Sequence, residues 1–424
     1  MWAQLGGTEE GSLRSLSALF GALTIPVAYA AGRLLVSTRA GVAASALAAV
    51  SPLLVWYSQE ARAYALLTLL AGASFVLFLL ARSEPSSRRL AAWAVVSALA
   101  LLTHYFAVFV IAVEAGALLW THPRLRRLRW AVGAVAAVGV CLLPLAAAQA
   151  RHRRLGWIGG LDLADRVTEA LQRLVTAAPP SSWAGSTGTG VSPHVWLVAG
   201  GTLVLAAVLL AMLGSAREQS GAALALVIGS LAICVPVAIS LFADLVLRGE
   251  GDLFLDRNVI GAWVPLAVFV AGGLTTRRAG LLGVLCVAGL VAWSLTVTVQ
   301  VATRPDLQRD DWRGAARAVA IEERSVVVVY PAYQSAALVR QLPAREELGE
   351  RVTVEQIVLV LAGFDEPPSS FVVPSGFEEA RSETVQHFRV LEYRAPSSLA
   401  VAAEDLAQAP LRESDLAVLA PAAG

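Results

Sequence analysis

Long apolar runs follow one another from the N-terminus to Ala302. A helix needs about 20 apolar residues to cross the hydrocarbon of a bilayer, and shorter runs suffice where the bilayer thins or protein surrounds the helix. About ten runs meet this condition. They lie near residues 13–36, 41–56, 64–81, 90–102, 106–120, 130–150, 195–213, 222–247, 259–274 and 281–302. The pattern predicts an α-helical polytopic membrane domain over residues 1–302.

Positive charge alternates between the connections that join these runs. One set carries the arginines Arg33, Arg39, Arg82, Arg88, Arg89, Arg124, Arg126, Arg127, Arg129, Arg217, Arg277 and Arg278. Short cytoplasmic loops retain positive charge, so this set is placed in the cytoplasm. The other set, which holds the N-terminus, 57–63, 104–105, 151–194 and 248–258, then faces outside. Segment 151–194 also carries arginines, but long translocated loops obey the charge rule poorly.

The character of the sequence changes after Ala302. DDWRGAARAVAIEER predicts an amphipathic helix capped by Asp310 or Asp311, SVVVVYP a buried strand, and AYQSAALVRQL another helix. Further strands are predicted at 357–361, 371–374 and 386–393. This alternation indicates a small α/β domain over residues 303–395, outside the membrane. Residues 396–424 are rich in Ala, Pro and Ser and are predicted to be a disordered tail.

Composition narrows the class of protein. The chain is 57% hydrophobic and 15% charged, whereas a soluble protein carries roughly a quarter charged residues, so the excess apolar surface requires a lipid bilayer. The net charge of +1 argues against nucleic acid as a partner. Cys141, Cys234 and Cys286 lie inside apolar runs and are interpreted as small buried hydrophobic residues, because neither a disulfide framework nor a metal cluster fits that pattern.

Polar residues cluster beside apolar helices in three outward connections. They are Glu60, Arg62 and Tyr64 in WYSQEARAY, His104 and Tyr105 in LLTHYFA, and Arg257 and Asn258 in FLDRNVIGAWVP. Charge at a membrane boundary is costly unless it is paired or functional. Arg62 and Arg257 are candidates to converge on a phosphate, which a guanidinium fork suits. The alternative is that Glu60 and Arg62 are satisfied by water or each other, with both tyrosines anchored at the headgroups.

Several segments together are similar to one family, the bacterial GT-C-type glycosyltransferases related to protein O-mannosyltransferases and lipid A aminoarabinose transferases. They are TEEGSLRSLSALFGALTIPVAYAAGRLL, SPLLVWYSQEARAYAL, THYFA, RNVIGAWVPLAVFVAGGL and DWRGAARAV. The resemblance implies transfer of a sugar from a polyprenyl-phosphate carrier to an extracytoplasmic acceptor at the cell membrane. Arg62 and Arg257 would hold the lipid phosphate. Around the donor or acceptor we expect Glu60, Tyr64, His104, Tyr105 and Asn258.

The start of the chain departs from the family pattern. Members open with a transmembrane helix and an outside loop whose acidic residue, usually Asp, acts as base or organises the acceptor. Here the chain resembles the end of that loop, and Glu9 and Glu10 fit a later position. We expect a start codon placed too far downstream, because Met1 is predicted outside with no signal to carry it there. A gene fragment and an inactive remnant are the alternatives.

The catalytic base is therefore unassigned. Asp256 is a weak candidate, since Asp252 and Asp256 are expected to orient the neighbouring Arg257, and Glu60 to pair with Arg62. The 424-residue chain is expected to be inactive and an upstream-extended form active, which the DNA before Met1 would test. A divalent metal at Glu60 and His104 stays open, but no cofactor is assigned.

Two other functions remain open. A structural or partner-binding membrane protein would need no catalytic loop. A lipid-linked sugar transporter should show internal repeats and interrupted helices in matching halves, and the sequence shows neither. Glu114 and Asp244 lie in predicted helices, where a packing contact is favoured over a polar path.

Overall fold

The structure is a computed structural model. It describes residues 10–151, 162–175, 193–246, 252–304, 311–319, 322, 324–349, 351–364, 366–408 and 416–421. The chain divides into two compact units. The membrane unit comprises Met1–Pro180 and Thr187–Val301, and the C-terminal unit comprises Ser181–Ser186 and Ala302–Gly424.

The described part of the membrane unit is helical. Its α-helices are α1 Glu10–Leu35, α2 Thr38–Val50, α3 Pro52–Ser58, α4 Tyr64–Ser83, α5 Ser87–Thr103, α6 Val108–Thr121, α7 Arg126–Arg151, α8 Leu163–Val175, α9 Pro193–Met212, α10 Ala216–Val246, α11 Trp263–Leu274 and α12 Gly280–Thr303. Short 3-10 turns lie at Tyr105–Ala107, Asp256–Asn258, Ile260–Ala262 and Arg277–Ala279. Each predicted apolar run overlaps a helix of this unit.

Several of these helices can cross a bilayer by length and composition. Among the described residues 5 qualify alone, namely Gly11–Leu35, Tyr64–Ser83, Arg126–Gln149, Ala216–Val246 and Arg277–Thr303, and the bent pair α2 and α3 would make 6. Tyr105–Thr121, Val198–Met212 and Ile260–Leu274 are shorter apolar helices. The chain is thus a multi-pass membrane protein.

The break between α2 and α3 follows from local sequence. Pro52 at the start of α3 has no N–H to continue the hydrogen bonds of α2. Ser51 is extended and its hydroxyl accepts from Leu54 N at 3.4 Å, so it caps α3. The two helices meet at 54°. This bend sends the end of α3, with Tyr57, toward the connection that carries Glu60 and Arg62.

Small residues allow the helices to approach closely. A Cβ added at Gly41 of α2 would lie 2.7 Å from the Tyr29 carbonyl of α1, and one at Gly273 of α11 would lie 2.2 Å from the Ala207 carbonyl of α9. Such close backbone contacts are typical of membrane helix packing. Every residue of α11 is buried, so α11 is a central helix of the unit and fixes the segment that precedes it.

Glu114 joins three helices inside the membrane unit. Its side chain is fully buried and accepts from Trp93 Nε1 at 2.9 Å and from Ser74 Oγ at 3.0 Å. These donors come from α5 and α4, whereas Glu114 belongs to α6. The interpretation of Glu114 as a packing contact is confirmed.

Removing this acceptor should destabilise the protein. Glu114→Leu leaves the buried Trp93 N–H without its acceptor, which costs about 1–3 kcal/mol, whereas the Ser74 hydroxyl keeps the Ala71 carbonyl at 2.9 Å. Glu114→Gln keeps a carbonyl acceptor and should be milder. Ser97→Ala is the control, because Ser97 Oγ is also buried but has no hydrogen-bond partner in the described part of the chain. Thermal unfolding in detergent should rank Leu lowest. A Tm for Glu114→Leu equal to that of Ser97→Ala would contradict the assignment.

The C-terminal unit is an α/β domain, as predicted. Its elements are α13 Trp312–Ala318, β1 Ser325–Tyr330, α14 Ser335–Val339, β2 Arg345–Glu347, β3 Val352–Ala362, β4 Glu378–Val385, β5 Phe388–Val401 and β6 Ala417–Pro421. The sheet order is β2-β6-β1-β3-β5-β4, with β1 and β3 parallel and the other pairs antiparallel. Alternate valines of β1 enter two cores, Val326 and Val328 on one face, Val327 and Val329 on the other.

Several local predictions for this unit need correction. The tail assigned to residues 396–424 is not a disordered segment throughout, because β5 continues to Val401 and β6 lies between β2 and β1. Val401 and Val418 bury their side chains in one core of the sheet and the partly buried Leu399 packs against it, which composition alone does not reveal. The strand at 371–374 is reduced to a single bridge between Phe371 and Ala407. Asp311 caps α13, with Gly314 N 2.8 Å from its Oδ1, and Asp310 lies outside the described residues.

Candidate functional site

The turn between α3 and α4 carries Glu60 and Arg62. The Glu60 N–H donates to the Tyr57 carbonyl at 3.4 Å as α3 ends, and α4 begins at Tyr64. The rings of Tyr57 and Tyr64 are 4.9 Å apart between centroids. Tyr57 is buried and was not among the predicted site residues, although it stands in the same WYSQEARAY segment.

His104 lies at the break that ends α5. Its backbone is extended, and the turn Tyr105–Ala107 follows. Its ring centroid is 5.6 Å from that of Tyr64 and 5.5 Å from that of Tyr105. Burial lowers the pKa of His104 and the charge of Arg257 lowers it further, so the neutral imidazole is favoured at neutral pH. Within the described residues its buried Nδ1 has no hydrogen-bond partner.

The Arg257 segment, residues 252–258, forms the third side of the site. The turn Asp256–Asn258 directly precedes the buried helix α11 and its 3-10 turn. Asn258 Nδ2 donates to the Leu253 carbonyl at 2.7 Å, which closes the segment on itself. The charges of Arg257, Arg62, Glu60 and Asp256 all act on the Tyr64 hydroxyl. The structure therefore brings residues of the three predicted clusters together around Tyr64.

The sequence analysis missed one element of the site. Helix α8 lies within segment 151–194, which was assigned as a loop. Its apolar residues Leu163, Val167, Ala170 and Leu174 repeat at helical spacing, and Asp162 Oδ1 accepts from Asp165 N at 3.0 Å. These signals were present in the sequence but were overlooked inside a long polar connection.

Arginines of α8 bind the two acids of the Arg257 segment. Arg173 Nη1 lies 2.9 Å from Asp256 Oδ2, and Arg166 Nη1 lies 3.0 Å from Asp252 Oδ1. The expectation that both acids mainly orient Arg257 is thus wrong, because their carboxylates bind arginines far away in the sequence. Among all described residues, no group of three or more His, Cys, Asp and Glu is placed to hold a metal ion.

Glu169 gives the site another acid. It lies one helical turn before Arg173, whose Nη2 is 3.2 Å from Glu169 Oε2. Burial raises the pKa of Glu169, Arg173 opposes this, and Asp256 adds to it. The site thus combines guanidinium groups, a neutral imidazole and carboxylates that are partly neutralised by arginine.

An apolar cavity of about 590 Å³ opens near the site. It lies between α6 and α7, and Tyr105 is part of its lining together with apolar residues such as Ile111, Val135 and Leu142. Tyr105 also contacts His104. The cavity and the polar cluster are therefore adjacent.

Membrane-spanning helices with a polar cluster between their connections define a multi-pass membrane protein with a site at the ends of its helices. Residues 1–147 match the family described as dolichyl-phosphate-mannose-protein mannosyltransferase. This match over about a third of the chain supports the resemblance to GT-C-type enzymes and, in general terms, a membrane glycosyltransferase. The matched segment covers the Glu60 and His104 clusters but ends before α8 and Arg257. No curated protein matches the chain.

Proposed function

We propose that this glycosyltransferase moves a sugar from a polyprenyl-phosphate carrier to an extracytoplasmic acceptor, such as an envelope glycan, lipid or protein. The observation that carries the proposal is the ring cluster of Tyr64, His104 and Tyr105, with centroids 5.6 and 5.5 Å apart, beside an apolar cavity lined by Tyr105. The positive charges of Arg62 and Arg257 both act on Tyr64 in this cluster. The cations would receive the phosphate and the cavity would receive part of the lipid.

The reaction forms one bond and breaks one. A hydroxyl or amine of the acceptor attacks C1 of the sugar as the bond from C1 to the phosphate oxygen breaks, and the acceptor proton passes to a base. The lipid phosphate leaves with negative charge. Fixed guanidinium groups beside a low-dielectric wall stabilise that charge without reorganising, which is the role proposed for Arg62 and Arg257.

The other residues have supporting roles in this proposal. Glu60, Tyr64, His104 and Tyr105 would surround the sugar or acceptor. Asn258 would contribute its amide oxygen, because its amide nitrogen donates to the Leu253 carbonyl at 2.7 Å. Asp256 remains a weak candidate base, since its carboxylate already binds Arg173.

Topology provides one test. We propose that the enzyme lies in the cell membrane with its C-terminal unit outside, because arginine-rich connections alternate with others. Reporter fusions after Trp120 or Arg278 should therefore be cytoplasmic, and a fusion after Pro305 should be outside. An inside signal after Pro305 would overturn this orientation.

Sugar transfer itself is tested with a defined donor. The protein should be expressed from its gene with any in-frame upstream sequence, purified in lipid discs and incubated with radiolabelled polyprenyl-phosphate sugars, with and without a chelator. The expected result is free polyprenyl phosphate together with labelled acceptor. Labelled donor that crosses a vesicle bilayer uncleaved would favour the transporter, and absence of both would favour a structural membrane protein.

A further inference from the structure

Two arginines of α8 hold the Arg257 segment. Arg166 and Arg173 are seven residues apart, so two turns of helix place them on one side of α8. Their partners Asp252 and Asp256 are four residues apart in the Arg257 segment. Each carboxylate takes one guanidinium. The segment is therefore attached to α8 at two points.

These contacts are buried. Relative exposure is 5% for Arg166, 2% for Asp252 and 8% for Asp256, and removing one member of such a pair leaves a buried charge that has lost its partner. Arg166 Nη1 also donates to the Phe254 carbonyl at 2.9 Å. Phe254 N in turn donates to Ser240 Oγ of α10 at 3.1 Å. The beginning of the segment is thus fixed to two helices.

The end of the segment depends on Arg173. Asp256, its partner, is the first residue of the turn Asp256–Asn258, and Arg257 is the second. Arg173 uses Nη1 for Asp256 and Nη2 for Glu169. Because carboxylates on both sides hold this guanidinium, it is suited to fix the turn and poorly suited to bind a phosphate itself.

We infer that Arg173 is a positioning residue that acts through Asp256 to hold the turn that carries Arg257. The inference rests on the proposed function, in which Arg257 receives the lipid phosphate. Helix α8 then contributes to transfer through the Arg257 segment that it holds. Loss of Arg173 should loosen the turn and lower turnover only through Arg257.

The first test measures how readily the turn opens and does not depend on enzyme activity. Amide hydrogen exchange should be followed at Asn258 and Val259, whose N–H groups donate to the Leu255 and Asp256 carbonyls at 3.0 and 3.2 Å. Arg173→Ala should accelerate this exchange roughly tenfold, as local opening becomes easier. Arg173→Lys keeps the charge but loses the two-sided fork, so its exchange rate should lie between those of the parent and Arg173→Ala. The swapped pair Arg173→Asp with Asp256→Arg should restore protection relative to Arg173→Asp alone.

The matched control is Arg89→Ala. The half-buried Arg89 pairs through Nη1 with Oε2 of the exposed Glu84 at 2.7 Å, and its loss should leave exchange in the turn unchanged. Unchanged exchange in both Arg173→Ala and Arg173→Lys would overturn the inference.

The second test is a double-variant cycle of donor turnover. If Arg173 acts through Arg257, Arg173→Ala should lower kcat in the parent but change it less than twofold in an Arg257→Ala background, because coupled residues are not additive. An equal loss in both backgrounds would mean that Arg173 acts by itself and would refute the inference. If the parent transfers no sugar, the proposed function fails, and exchange alone decides whether Arg173 holds the turn.

Discussion

Replacing Arg62 or Arg257 with alanine is expected to cost about 2–4 kcal/mol of transition-state stabilisation, roughly 30- to 1,000-fold in turnover, by analogy with the loss of one oxyanion donor. The charge on the departing phosphate develops beside these groups, so their removal should affect chemistry far more than folding. The Arg257 variant should lose more, because Arg257 is half-buried whereas Arg62 is exposed and screened by solvent.

Lysine should rescue either position poorly, because an ammonium lacks the planar fork of a guanidinium. The control is Arg88→Ala, which removes an exposed arginine of α5 and should leave turnover unchanged. The measurement is the initial rate with a polyprenyl-phosphate sugar, compared among variants whose Tm equals that of the parent. Near-normal turnover in both alanine variants would remove the phosphate role from these arginines.

Asp252→Ala is expected to destabilise the protein by about 3 kcal/mol, at the lower end of the range for breaking a buried ion pair. The lower end applies because Arg166 keeps its contact with the Phe254 carbonyl and has Asp244 Oδ2 at 3.9 Å from its Nη2. The double variant Arg166→Met with Asp252→Leu should recover most of the loss, since it removes both charges together.

The pH dependence should change in the same variants. Burial favours a raised pKa for Asp252, but hydrogen bonds from Arg166 and Ser240 outweigh it and hold the pKa below the usual range. A depressed carboxyl pKa gives stability that is present above the ordinary pKa and is lost as pH falls through the depressed one. The double variant should lose this acid sensitivity.

Unfolding in detergent across the acid pH range measures both the loss of stability and its pH dependence. Glu84→Ala breaks an exposed pair with Arg89 and should cost about 0–1 kcal/mol. Asp252→Ala as stable as Glu84→Ala would show that the buried pair contributes nothing.

The apolar runs located the helices of the membrane unit because long apolar runs favour membrane helices, and among the described residues 5 of these helices are long and apolar enough to cross a bilayer alone. The sequence also predicted that the Glu60, His104 and Arg257 clusters share one side, and the structure places them around Tyr64. What failed was the assignment of partners. Arg257 is next to Asp256 in sequence, yet Asp256 binds Arg173, 83 positions away. Which charged side chains pair in the folded protein cannot be read from which residues are adjacent in sequence.

Short elements were lost for a different reason. Helix α8 has 13 residues, and β6 has 5, so each gives a weak periodic signal inside a stretch whose composition is typical of a loop or tail. The apolar residues of β6 are informative only once β1 and β2 are known to need a strand between them. Tertiary contacts therefore determine these short elements, which composition alone does not predict.

The place of β6 has a consequence for biosynthesis. Strand β1 leaves the ribosome well before β6, yet β6 is its neighbour on the side away from β3. Until the last part of the chain is synthesised, β1 has one edge of backbone N–H and C=O groups open to other strands. Completion of the sheet must therefore wait until β6 has been synthesised and has paired with β1.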